Sequence, residues 1–153
     1  MTGHRFFFLL RRFAVLVLLA LPGVLGHAQV NSEPQLKAAF LVNFLKYIEW
    51  PASSVSTVTI CLFGRDTLGS YLSSYEGRTI SGRELRIRRI NGPDQVAECQ
   101  LLFIPETEDA RFGAVLRWVE NQPVLTVSDA DVFTRQGGAI ALVRSDGRLQ
   151  FDI

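Results

Sequence analysis

The sequence predicts an α/β fold, a single domain in which a mainly parallel sheet is covered by helices and closes with an antiparallel C-terminal hairpin. Three observations carry this expectation. Short runs rich in Val, Ile, Leu and Thr alternate with helical segments, which is how a chain returns repeatedly to a parallel sheet. The run 55–63 is rich in Val, Thr and Ile and reads as a strand buried on both faces. The last two runs, 139–143 and 149–153, are joined by Ser145-Asp146-Gly147-Arg148, a hairpin turn.

The chain opens with an export leader. Arg5, Arg11 and Arg12 supply a positive region, residues 13–21 a short apolar one, and Gly26-His27-Ala28 a small-x-small cleavage site. Pro22 and Gly23 interrupt the apolar run, which falls short of the ~20 residues a spanning helix needs. Arg11-Arg12-Phe13 touches the twin-arginine pattern, but a Phe- and Leu-rich stretch precedes it, so ordinary secretion of an unfolded chain is expected. Cleavage after Ala28 leaves 125 of the 153 residues, enough for one core.

The first helix follows a short lead at 29–32, with Ser32 as N-cap and Pro34 tolerated in the first turn. It continues through Leu36, Phe40, Phe44 and Ile48, leaves Asn43, Lys46 and Glu49 as a polar stripe, and stops at Trp50-Pro51. After the 55–63 strand, Gly64-Arg65-Asp66 leads into a short helix over 67–75, and 77–82 is a turn. The second strand, 84–90, places Leu85 and Ile87 on one face and Arg86 and Arg88 on the other. Asn91-Gly92-Pro93 breaks the chain, 94–98 holds at most one helical turn, and 101–104 is a third strand. Phe112, Val115, Leu116 and Val119 predict a helix over 107–121, capped by Thr107 and ended by Pro123. The run 124–127 is a fourth strand, Ser128-Asp129 caps a short helix to about residue 136, and Gly137-Gly138 turns the chain into the final hairpin.

Composition removes most enzyme chemistry. Both histidines, His4 and His27, lie in the leader, as does the only methionine. The exported chain therefore lacks the commonest general base, every Ser-His or Cys-His pair and nearly all transition-metal sites, so no catalysis, metal or cofactor is expected. Without Arg5, Arg11 and Arg12, 13 basic residues face 15 acidic ones, and nothing in that balance calls for nucleic acid. Two cysteines remain, Cys61 and Cys99. An even count in an exported protein favours a disulfide, and two reduced core cysteines are the other reading.

Four groups of residues are candidate sites. Gly64-Arg65-Asp66-Thr67-Leu68-Gly69 joins a strand to a helix, where anions bind in many α/β sheets, yet it lacks the spacing of a phosphate loop and reads first as a capped turn. Arg78, Arg83, Arg86 and Arg88, with Arg89, form the dense basic patch, either a grip for a carboxylate or phosphate or a solvated outer strand face. Asp129 and Asp131 are paired carboxylates whose positions suit helix capping better than acid–base work. Trp50, Trp118, Tyr47 and the phenylalanines read as core rather than as a ligand cage.

The stretch Lys37-Ala38-Ala39-Phe40-Leu41-Val42-Asn43-Phe44-Leu45-Lys46-Tyr47-Ile48-Glu49-Trp50-Pro51 resembles the opening signature of the YfiR family of periplasmic proteins. Three later blocks follow in the same order: Thr59-Ile60-Cys61-Leu62-Phe63-Gly64, then Gly77-Arg78-Thr79-Ile80-Ser81-Gly82-Arg83, then Val124-Leu125-Thr126-Val127-Ser128-Asp129 with Gly137-Gly138 and Asp146-Gly147-Arg148-Leu149-Gln150-Phe151. The resemblance implies a periplasmic repressor that binds the periplasmic domain of an inner-membrane diguanylate cyclase, or a related sensor kinase, and so lowers cyclic di-GMP and biofilm formation. It also implies that Cys61 and Cys99 are the family's disulfide cysteines, that redox stress acts through that bridge, and that the protein forms a homodimer. The family's second cysteine pair has no counterpart over 133–143. Relatives continue past Phe151-Asp152-Ile153 through a further helix, so a domain over 29–153 lacking that C-terminal helix is expected. The alternative function is a periplasmic small-anion-binding module using the arginine patch and the Gly64 turn.

Overall fold

A computed structural model describes residues 32–51, 56–65 and 68–153. The expected export leader, most of the lead before Ser32, and the expected starts of the first strand and second helix, residues 55 and 67, lie outside the described residues.

Helix α1 spans Glu33–Tyr47. Pro34 is accommodated in its first turn, Glu33 and Lys46 complement its dipole at the two ends, and Ser32 takes the extended N-cap backbone without a side-chain capping bond. Ile48 is already extended, so the helix ends three residues before Pro51. Its inner face buries Ala38, Leu41, Val42, Phe44 and Leu45. Strand β1 (Thr57–Phe63) is buried along nearly its whole length. The four-residue helix α2 (Gly69–Leu72) runs into a 3-10 turn at Ser73–Tyr75. A short hairpin then pairs β2 (Thr79–Ile80) with β3 (Arg83–Ile90), so the expected 77–82 turn contains a strand.

A six-residue 3-10 segment, Pro93–Glu98, replaces the single turn expected there and delivers the chain to β4 (Leu101–Ile104), which has the predicted bounds. The helix expected over 107–121 is a 3-10 segment, Glu106–Arg111, followed by the shorter α3 (Phe112–Trp118). Thr107 does not cap it. Pro105 starts the segment, and Glu108 sits at the non-helical angles φ −107°, ψ 18°. Strand β5 is Leu125–Ser128, and the expected helix to residue 136 is reduced to a 3-10 turn at Thr134–Gln136. Strands β6 (Ile140–Ser145) and β7 (Arg148–Asp152) form the predicted antiparallel hairpin. Its turn residues Asp146 and Gly147 have φ of 51° and 73°, the geometry of a two-residue type I′ loop.

The seven strands lie in the order β2-β3-β1-β4-β5-β6-β7. The inner five are parallel and each end closes with an antiparallel partner. Helices α1 and α2 cover one face, packing on Val58, Ile60, Leu62, Leu85, Leu101 and Phe103. The other face, with Cys61, Phe63, Leu102 and Ile104, is covered by the Pro93–Glu98 segment, α3 and the turn carrying Phe133. The chain moves from β1 outward to β3 and then back across to β4. Strand order therefore reverses between β1 and β4, and sheets of this kind bind ligands beyond the carboxyl ends of the strands at such a reversal.

Candidate functional site

The crevice at that reversal is filled by the protein's own side chains. Gly64 leaves β1 with φ 65°, and the Glu108 carboxylate lies so close that a Cβ on Gly64 would stand 2.2 Å from its Oε1. Glu108 accepts a bond from the Arg65 backbone N–H at 3.4 Å and pairs with Arg111 at 3.3 Å, while the Arg111 guanidinium lies 4.4 Å from the centre of the Phe63 ring. A phosphate approaching this turn meets a resident negative charge. The Gly64 turn is thus a capped turn, and Asp66 and Thr67 of the candidate motif lie outside the described residues.

Beside it, Asp129 closes the end of β5. Its Oδ1 accepts the Glu106 N–H at 2.8 Å and its Oδ2 accepts from Lys37 Nζ at 2.9 Å. Lys37 also pairs with Glu33 at 2.9 Å, and Glu33 with Arg144 at 2.5 Å. Burial works against the Lys37 ammonium, but the hydrogen bonds it donates to Glu33 and Asp129 outweigh this and raise its pKa above the ordinary lysine value. Hydrogen bonds from Lys37 and Arg144 hold Glu33 below the usual carboxylate range. Asp131 takes no part in this network: its backbone carbonyl accepts from Arg135. The carboxylate at Asp129 therefore fastens α1 to the sheet. Neither the contact of Glu108 with Arg65 nor that of Lys37 with Asp129 carries a local sequence signal, because each joins elements far apart in the chain.

The four candidate arginines do not form one cluster. Arg83 shares the α1 face with Leu85 and its register partner Ile80, and Arg78 lies 4.7 Å over the Tyr75 ring. Arg86 and Arg88 alternate with Leu85 and Ile87 onto the opposite face, where Glu84 pairs with Arg86 at 2.9 Å and Glu98 pairs with Arg88. Arg83 pairs with no carboxylate among the described residues. It lines a cavity of about 370 Å³ with Lys46, Glu49, Trp50, Val58 and Ile80. The Trp50 indole N–H donates to the Gln100 carbonyl at 3.1 Å, and Trp118 packs edge-on against Phe63. Tyr47, expected in the core, is 83% exposed at the last turn of α1.

Cys61 and Cys99 form a disulfide with Cα atoms 5.7 Å apart, and no free cysteine remains. Both are buried, on the face covered by α3. The bridge ties the Pro93–Glu98 segment to the central strand. Closing a loop of 38 residues stabilises the fold by about 3–4 kcal/mol in the chain-entropy account.

Among the described residues no group of His, Cys, Asp or Glu has the arrangement of a metal site, and no helix is long and apolar enough to cross a membrane. No curated protein matches the chain. A family model described as DUF4154, YfiR/HmsC-like, matches residues 34–153, and the chain belongs to that family.

Proposed function

We propose that this protein is a non-catalytic periplasmic regulator that binds the periplasmic sensor domain of a membrane diguanylate cyclase, or a related sensor, and represses it. The observation that carries this reading is the family match, which spans every described strand and helix from Pro34 onward. The chemistry of the fold agrees with adhesion rather than turnover. The carboxylates at the strand ends, Glu108 and Asp129, are engaged in fastening elements together, and the exported chain carries no imidazole. Repression of the cyclase lowers cyclic di-GMP and with it biofilm formation. The buried Cys61–Cys99 bridge makes the repressor's stability depend on an oxidising environment.

The test is a binding titration of the purified protein with the periplasmic domain of the cyclase or kinase encoded beside it, in oxidising and reducing buffers. Saturable binding in oxidising buffer is expected, together with raised cyclic di-GMP in a deletion strain. Absence of binding in both buffers, with unchanged cyclic di-GMP, would remove the proposal.

A second reading rests on Arg83 and Lys46 at the cavity beside Trp50: the two cations outnumber the one lining carboxylate, Glu49, beside an apolar wall, which suits a small amphipathic anion. It predicts thermal stabilisation by a carboxylate- or phosphate-bearing ligand that is lost in Arg83→Ala. No shift across a panel of such anions would end it.

A further inference from the structure

A cavity of about 400 Å³ lies on the α3 face of the sheet, between α3 and the turn at Gln136 and Gly137, with Val124 and Thr126 at the amino end of β5 between them. It is lined by one cation and one carboxylate, the exposed Arg117 and Glu120, and neither has an ion pair among the described residues. Residues three apart pair readily on a continuous helix, but α3 ends at Trp118 and Val119 leaves the helical backbone at φ −99°, ψ 0°, so the spacing that would join the two is broken between them. The Arg117 guanidinium turns back along the helix instead. Its Nη1 lies 3.9 Å from where a Cβ on Gly113 would stand, and the bare Gly113 leaves the cleft open beside it.

A third polar group lines the same cavity. Thr126 is 5% exposed, and its Oγ1 accepts the Ala139 N–H at 3.0 Å, which leaves its hydroxyl proton without an acceptor among the described residues. Leu116, Val119 and Val124 make the rest of the lining aliphatic. A simple anion drawn to Arg117 is opposed by Glu120, and a simple cation drawn to Glu120 is opposed by Arg117. A zwitterion with an apolar body satisfies both charges at once.

We propose that this cavity binds a free aliphatic α-amino acid. Its carboxylate accepts from the Arg117 guanidinium and the Thr126 hydroxyl, its ammonium donates to the Glu120 carboxylate, and its side chain covers Leu116, Val119 and Val124. The site lies across the sheet from the cavity at Arg83, and its test involves no partner protein, so it stands apart from both the regulatory and the anion readings.

Isothermal titration calorimetry of the purified protein with L-leucine, L-isoleucine and L-valine tests it. Saturable binding is expected. Arg117→Gln and Glu120→Gln each weaken L-leucine about tenfold, the loss of one charge-assisted hydrogen bond, and Arg83→Ala leaves it unchanged. Ligand truncation assigns each contact. Leucinamide, which lacks the carboxylate, binds more weakly than leucine and is indifferent to Arg117→Gln, whereas N-acetyl-leucine, which lacks the ammonium, binds more weakly and is indifferent to Glu120→Gln. Both substituted side chains are exposed, and circular dichroism checks that the variants fold. Absence of binding by all three amino acids, or binding of leucine that either variant leaves unchanged, overturns the proposal.

Discussion

Lys37 on α1 and Asp129 at the end of β5 meet at 2.9 Å across 92 positions of sequence, with only 13% and 15% of their side chains exposed. Removing the ammonium leaves Asp129 and Glu33 facing each other's charge without a cation between them. Lys37→Met is therefore expected to cost about 2 kcal/mol, below the cost of a fully buried pair because solvent still reaches this one. Urea unfolding at neutral pH measures it.

The same network sets a pH window. Glu33 has a lowered folded pKa, so its contribution is present above the ordinary value of 4.5 and is lost as pH falls through the folded value. Lys37 has a raised folded pKa, so its contribution is complete below 10.5 and disappears as pH climbs through the folded value. Thermal melts from neutral pH down to pH 3 are expected to show a smaller acid loss in Glu33→Gln than in wild type. Equal losses would mean that Glu33 contributes nothing to acid stability.

The disulfide is buried against Leu102, Phe112 and Val115, so a reductant reaches it only after the Pro93–Glu98 face opens. Reduction is expected to be slow under native conditions and to accelerate in urea. The Cys61→Ala, Cys99→Ala protein is expected to lose about 3 kcal/mol, the loop-closure contribution. Unfolding midpoints with and without reductant check both expectations.

Gly64 and Gly147 share a left-handed backbone but not a neighbourhood. A Cβ on Gly147 meets nothing within 4 Å, whereas one on Gly64 meets the Glu108 carboxylate. Gly147→Ala is expected to cost about 1 kcal/mol, the conformational penalty alone. Gly64→Ala adds the displacement of Glu108 from the Arg65 N–H and Arg111. Glu108→Ala in the Gly64→Ala background is expected to recover that extra part, and a double-mutant cycle measures it.

The residues that sequence patterning placed well are those whose environment is set locally. Leu101–Ile104 is an uninterrupted apolar run closed by Pro105, and the Asp146-Gly147 turn fixed the hairpin register. Alternation also assigned Leu85 and Arg86 to opposite faces of β3. What escaped it was set by distant partners. Glu108 looked like an ordinary first-turn acid, but its contact with the turn at Gly64 and Arg65, 43 positions away, goes with the non-helical break that shortens the expected 107–121 helix. The arginine patch looked continuous because the count ignored which face each residue takes and which of Glu84 and Glu98 would neutralise it.

Gln100, just before β4, makes four bonds: two to Thr59 of β1, one to Leu125 of β5 and one to Trp50. Its backbone N–H donates to the Thr59 carbonyl, its side-chain Oε1 accepts the Thr59 N–H at 2.7 Å, and its carbonyl accepts from both Leu125 N–H and the Trp50 indole. These bonds are unequal in what their loss leaves behind. Trp50→Phe removes one donor from a carbonyl that keeps the other, so it is expected to cost less than about 1 kcal/mol. Gln100→Ala strands the N–H of buried Thr59 and is expected to cost about 1–3 kcal/mol. Chemical denaturation of the two variants distinguishes them, and a larger loss in Trp50→Phe would mean that indole packing, rather than the side-chain amide of Gln100, holds this end of the sheet.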